Sequence, residues 1–160
     1  MDVLAPPSAV RKPAEFAIDS QGVWSYRGSP IKREGLLRLL SGMLRRDARG
    51  YALVTPEQTL RIDVADVPFI VTEWELQGEG ELASIRFRTS LGESSTLDAE
   101  HPLCLRPSPD GGTKPYVVLR DGMEAVLHRN VFYALAGIAQ QRDADGPHGV
   151  YSEGLFFPLE

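Results

Sequence analysis

Alternation of apolar and polar positions dominates most of the chain, interrupted by two stretches of helical period. Phe16-Ala-Ile18 and Val23-Trp24-Ser-Tyr26 flank the turn-forming Asp19-Ser-Gln-Gly22 and predict two short strands. Gly28-Ser29-Pro30 closes that unit, with Ser29 placed as an N-cap and Pro30 at a first helical position. A period of 3.6 then runs from about Ile31 to Arg46. On it Leu36, Leu37, Leu39, Leu40, Met43 and Leu44 fall within an arc of roughly 160°. Arg38 and Arg45 fall opposite, towards water, and Gly35 and Gly42 lie along one flank. Arg33 falls inside the apolar arc. It is expected either to reach past the helix end or to pair with a carboxylate near the core, Asp66 or Glu57.

After Gly50 the pattern is that of strands. Tyr51-Ala-Leu53-Val54 and Leu60-Arg-Ile62-Asp-Val64 bracket the turn Thr55-Pro56-Glu57-Gln58, and a longer strand from Val67 to Leu76 pairs with Leu82 to Thr89. Thr96 to Leu105 reads as extended, and Pro107 to Gly112 as a loop prone to local disorder. Tyr116 to Leu119 and Met123 to Leu127 form a hairpin around Asp121-Gly122. A largely buried helix follows from about Arg129 to Gln141, with Val131, Phe132, Leu135, Ile138 and Ala139 facing the core. Its other face carries Tyr133, Ala136, Gly137 and Gln140 without a charge, so either the aromatic tail from Val150 to Pro158 or a second copy should cover it.

An internal echo suggests two related lobes. Phe16-x-Ile18 resembles Phe87-x-Thr89, and Tyr51-x-Leu-Val with Leu60-x-Ile62 resembles Tyr116-x-Val-Leu with Ala125-x-Leu127. The fold class that follows is α+β: two β-rich lobes, related as a structural repeat, with one amphipathic helix packed on each. The expected division is a flexible N-terminal arm over 1–14, an N-terminal lobe over 15–80 and a C-terminal lobe over 81–160. The lobes should meet between Gln77 and Arg88.

Composition narrows the function classes. Hydrophobic residues make up 42% of the 160, enough for a core and too many for extensive disorder. The 17 basic residues against 22 acidic ones disfavour a nucleic-acid partner bound through a broad basic surface. The longest apolar stretch, Val131 to Ala139, is far short of the ~20 residues that span a bilayer, and Met1 to Pro7 lacks the charge and apolar run of a signal peptide. A single cysteine, Cys104, excludes an intramolecular disulfide. A cytoplasmic protein, with neither nucleic acid nor membrane as partner, is the expectation.

Candidate chemistry is sparse. Asp98-Ala-Glu100-His101-Pro-Leu-Cys104 holds four potential metal ligands, but an extended chain would turn His101 away from the other three, so no metal or other cofactor is expected. Glu57 and Asp66 could serve as paired carboxylates in acid–base chemistry, or simply complete turns or meet Arg33. No nucleophile elbow or phosphate-cradling loop is present. Arg45, Arg46 and Arg49 could hold an anion, though cations near a helix C-terminus commonly complement its dipole. Trp24, Tyr26 and Trp74 could form a ligand platform or lie in the core.

Several strings carry a resemblance: Phe16-x-Ile18-x3-Gly22-x-Trp24-x-Tyr26-x-Gly28-x-Pro30-Ile31, Tyr51-x-Leu-Val-Thr-Pro-Glu57 and Ile62-x-Val64-x-Asp66-x-Pro68-Phe69. His101-Pro-Leu103, Pro115-Tyr116 and Arg120-x-Gly122 extend it. From about Phe16 to Gly137 the chain resembles the bacterial family called domain of unknown function 1285. The resemblance implies an α+β fold with repeated motifs and leans towards signalling or ligand sensing, without catalytic residues to carry over. The functional expectation is therefore a non-enzymatic regulatory module that binds a small molecule or a protein partner between its lobes, as a monomer or weak homodimer. The candidate binding residues are Trp24, Tyr26, Arg33, Glu57, Asp66, His101, Tyr116 and Arg120. The alternative is a carboxylate-dependent enzyme, a hydrolase using Glu57, Asp66 or Glu100 with His101.

Overall fold

The structure, a computed structural model, describes residues 13–160, so most of the expected N-terminal arm lies outside the described residues. Two six-stranded sheets and a small three-stranded sheet share one main core, and Val67, Tyr116 and Val126 form a second, smaller buried cluster. The first sheet is built from β1 (Phe16–Ile18), β2 (Trp24–Tyr26), β3 (Ser29–Pro30), β4 (Leu44–Asp47), β5 (Gly50–Val54) and β6 (Thr59–Val64), with α1 (Glu34–Gly42) between β3 and β4. The second comprises β7 (Phe69–Gln77), β8 (Ser84–Thr89), β9 (Ser94–Thr96), β10 (Leu103–Pro107), β11 (Thr113–Val118) and β12 (Glu124–Leu127), followed by α2 (Arg129–Gly137). The tail supplies β13 (Gln140–Gln141), β14 (His148–Ser152) and β15 (Leu155–Pro158).

The two large sheets have the same topology. In the first, the meanders β1-β2-β3 and β4-β5-β6 join through a parallel pairing of β1 with β6, giving the order β3-β2-β1-β6-β5-β4. In the second, β7-β8-β9 and β10-β11-β12 join through parallel β7 and β12, giving β9-β8-β7-β12-β11-β10. The match extends to single hydrogen bonds at the end of each parallel pair. Ala65 N–H donates to the Ile18 carbonyl and His128 N–H to that of Val71, both at 2.9 Å. These bonds align Phe16-Ala-Ile18 with Phe69-Ile-Val71, and Ile62-x-Val64 with Ala125-x-Leu127. The repeat is therefore real, but the echo in the sequence was misregistered. Phe87 lies on β8 rather than on the counterpart of β1. Tyr116 is one residue off the position of Tyr51, because Tyr51 pairs with Ile62 whereas Ala125 pairs with Val117. Aromatic identity drew those matches, and the ladder ignores identity.

The lobe division also moves. β7 is a central strand of the second sheet, so the change of sheet falls between Val64 and Phe69 rather than near residue 80. The turn at 78–83 is internal to the β7–β8 hairpin. Both helices are shorter than their apolar periods. α1 stops at Gly42 because Leu44 to Asp47 pair with Leu53 to Gly50, and Leu39, placed in the apolar arc, is 62% exposed. α2 stops at Gly137 because Gln140 and Gln141 join the tail sheet. Pairing across the sheet satisfies backbone groups that a longer helix would have satisfied internally, so tertiary context decides the boundary.

Burial fixes the layers. Ile18, Leu44, Leu53 and Ile62 of the first lobe join Phe69, Val71, Phe87 and Leu127 of the second in one cluster, with Leu40 of α1 and Leu135 of α2 completing it. Each such side chain contributes roughly 1.5–3 kcal/mol of transfer free energy. The tail docks through Val150, Phe157 and Leu159. It does not cover the uncharged face of α2, where Tyr133 is 62% exposed and Ala136 and Gly137 are exposed too.

Candidate functional site: a polar pocket in the second lobe

The connection from β9 to β10, residues 97–102, is curled rather than extended. Asp98 Oδ1 accepts the backbone N–H groups of Glu100 (3.0 Å) and His101 (2.9 Å), and the His101 N–H also approaches the Asp98 carbonyl at 3.2 Å. Asp commonly organises a turn in this way. The curl brings His101 Nδ1 to 2.8 Å from Asp98 Oδ1, the opposite of the separation expected for an extended chain. Burial pushes the Asp98 carboxyl up, but the hydrogen bonds from His101 and Glu100 outweigh it and hold the group below its ordinary range. Cys104 is exposed, and no group of three or more candidate ligands among the described residues is arranged to hold a metal ion.

The turn between β8 and β9 presents Glu93. Buried Thr89 accepts the N–H groups of Leu91 (3.3 Å) and Glu93 (3.2 Å) on its Oγ1. Gly92 takes φ +90°, which L side chains rarely adopt, and Arg38 of α1 leans over it. Glu93 Oε1 accepts Arg120 Nε at 2.6 Å. Arg120 stands at the β11–β12 turn, where Asp121 and Gly122 both have positive φ as a tight hairpin requires. Its Nη2 donates to the Ser41 carbonyl at 2.7 Å and its Nη1 reaches that of Leu44 at 3.4 Å. Arg45 of the first lobe donates to the Gly42 carbonyl at 3.0 Å, so Arg120 adds a second cation, from the other lobe, to the C-terminal end of α1.

These elements enclose a pocket of about 450 Å³ lined by Arg86, Glu93, Ser94, Ser95, Thr96, Asp98, His101, Leu119 and Arg120. Two of its groups are left unmet: Glu93 Oε2 and Ser95 Oγ are buried without a hydrogen-bond partner. Two guanidinium groups face two carboxylates, so the site carries little net charge. That arrangement suits a polar, uncharged or zwitterionic molecule offering N–H or O–H donors.

Of the eight residues singled out in the sequence, this pocket collects two, His101 and Arg120. Trp24 is core, 2% exposed, with its indole N–H buried and unpartnered. Tyr26 is exposed and tilts against Phe16, ring centroids 4.8 Å apart, with Arg27 over its face. Arg33 is exposed at the N-cap of α1, and neither expected carboxylate meets it. Glu57 is exposed in its turn. Asp66 instead accepts the Tyr116 hydroxyl at 2.8 Å. Burial first, then that bond, pushes the Tyr116 phenol up to about 12. Arg106 covers its ring at 3.7 Å while forking onto Glu124. Sequence reasoning missed Glu93, Ser95 and Arg86 as site residues. Arg86 alternates with Ile85 and Phe87 as any solvent-facing strand residue does, and nothing local marks Glu93.

No helix among the described residues is long and apolar enough to cross a membrane. No curated protein matches the sequence. The N-terminal domain of the family with unknown function called DUF1285 matches residues 5–67, and its C-terminal domain matches residues 68–159. The chain is similar to a DUF1285 family protein from Silicibacter pomeroyi DSS-3, with 34% identity and a TM-score of 0.84 over 97% of this chain and 86% of that one. It shares its fold with a DUF1285 family protein from Shewanella baltica OS155 at 23% identity, with a TM-score of 0.60 over 78% of this chain and 91% of that one. With both domain models matched end to end and the lobe change falling at their border, the chain belongs to the DUF1285 family.

Proposed function

We propose that this protein is a non-enzymatic, regulatory module that binds a small polar molecule in the polar pocket of the second lobe, as a signalling-type sensor. One observation carries the reading: a cavity large enough for a metabolite is lined by Glu93 and Ser95, whose Oε2 and Oγ atoms are buried just behind its wall without partners. Leaving a buried acceptor unmet costs about 1–3 kcal/mol, which a ligand donor would recover. Glu93 also holds Arg120, and Arg120 holds the end of α1, so occupancy of the pocket bears on how the lobes engage. The exposed thiol of Cys104 suits a reducing, cytoplasmic setting.

A hydrolase is the second reading, favoured by the Asp98–His101 pair. Its expected partners are elsewhere: Glu57 and Glu100 are exposed, and Asp66 is held by Tyr116. Ser95 Oγ is buried with no hydrogen bond to His101, so it is not an activated nucleophile. The test is thermal unfolding against amino acids, monosaccharides and nucleosides, on the parent chain and on Glu93→Gln. Binding raises the melting temperature of the parent, and the shift shrinks in the variant. No shift with any class, or equal shifts in both chains, would overturn the proposal.

A further inference from the structure

We propose a second, separate ligand site in the C-terminal lobe, for a small carboxylic acid with an apolar chain. A cavity of about 720 Å³ lies between α2, the β11–β12 face and the β1–β2 turn, well within the size range of small-molecule sites. Its floor is apolar, with Ile70, Val126 and Phe132 contributing, Ser20 and Gln21 of the first lobe line one side, and the neighbouring Gly22 lies close against Ile70. A Cβ at Gly22 would lie 2.7 Å from Ile70 Cδ1.

The charge pattern selects the occupant. The whole chain carries 22 acidic residues, yet among the described residues none lines this cavity, whose charged or titratable lining is Lys114, His128, Arg129 and Tyr133. Lys114 is already paired with Asp110 at 2.8 Å. Arg129 is exposed and has neither ion pair nor hydrogen bond among the described residues. His128 Nδ1 accepts the Asn130 N–H at 3.1 Å, which leaves Nε2 to donate outward. One free guanidinium and one imidazole N–H answer the two oxygens of a single carboxylate, and the apolar floor takes its chain. A more highly charged anion finds only one unpaired cation here, and a neutral hydrocarbon leaves that cation unused.

The site is independent of the polar pocket and stands whether or not that pocket binds a metabolite. The experiment is isothermal titration of the whole chain with sodium octanoate, 1-octanol and inorganic phosphate, repeated on Arg129→Gln, with light scattering on the same samples. Octanoate should saturate one site on a monomer, while octanol and the Arg129→Gln chain each bind about tenfold more weakly and phosphate gives no heat. Arg129 is exposed and unpaired, so the variant should fold as the parent does, which circular dichroism checks. Equal affinity for octanol, unchanged affinity in Arg129→Gln, or no saturable binding of octanoate would overturn the inference. A stable dimer that excludes octanoate would also overturn it, by assigning the cavity to a second copy.

Discussion

Ser152 is the sharpest place to test the packing of this fold. It is fully buried on β14, and its hydroxyl joins three segments: Oγ donates to the Leu97 carbonyl at 2.6 Å and accepts the Ile85 N–H at 2.9 Å. Ile85 and Leu97 are themselves 0% exposed, so water cannot replace either bond. Ser152→Ala would strand one N–H and one C=O inside the core. Each orphan costs about 1–3 kcal/mol, and the void left by a single oxygen adds little, so the loss should be about 3 kcal/mol. For a domain near this size that corresponds to roughly 6–12 °C in melting temperature. Urea unfolding followed by circular dichroism measures the free energy, with exposed Ser90→Ala as a control expected to stay within about 0.5 kcal/mol of the parent. A loss below about 1 kcal/mol for Ser152→Ala would mean that the tail is not held through this hydroxyl.

Three further outcomes follow from the same reasoning. Arg120→Ala should cost about 2–3 kcal/mol in urea, because it leaves the half-buried Glu93 carboxylate and the Ser41 carbonyl without their donor; Arg120→Ala with Glu93→Gln should cost less than the two singles summed, and strict additivity would show that the pair does not interact. Tyr116 has a raised phenol pKa, so its contribution to stability is complete below its ordinary value of 10.0 and is lost as pH rises through about 12. Following tyrosinate absorbance should show a late step near pH 12 that disappears in Tyr116→Phe; a titration curve whose late part is unchanged by that substitution would contradict the burial and the Asp66 bond. Gly149→Ala drives a Cβ into the Phe157 carbonyl across the β14–β15 pair, and should cost at least 2 kcal/mol and raise proteolysis of the tail; a parent-like digestion pattern would show that the pair opens without penalty.

What the sequence made legible was period and turn chemistry. Asp121-Gly122 marks its hairpin because two successive positive-φ positions demand such residues, and the alternation through Ile85 and Phe87 places both in the core. Boundaries failed where two periods agree locally. Met43-Leu44 continues the stripe of α1 and equally opens β4, and only pairing with Leu53 decides. The site was legible in part. Asp98-x-x-His101 is visible as a cluster, but Pro102 predicts extension through His101, whereas the Asp98 carboxylate curls the chain before that residue. Glu93 could not be found at all. Its meaning lies in Arg120, 27 residues on, and in an α1 carbonyl from the other lobe, and no local pattern encodes that convergence.

The repeat explains why the polar pocket forms in one lobe only. In the first sheet the two meanders are linked by residues 31–43, which fold into α1 and set Leu36, Leu37 and Leu40 against the core. In the second sheet the equivalent link is residues 97–102, too short for a helix, and the helix of that lobe comes after β12 instead. The short link carries Asp98 and His101 at the position where the first lobe carries leucines. Arg120, from the second hairpin turn, then reaches back to the carbonyl end of the helix that its own lobe lacks at that position. The pocket is thus a product of the asymmetry between two copies of one topology. Its Glu93–Arg120 pair is oriented by a backbone group of the other copy. The second lobe lines the site by itself, and the first lobe contributes the carbonyls of Ser41 and Leu44 that Arg120 also holds.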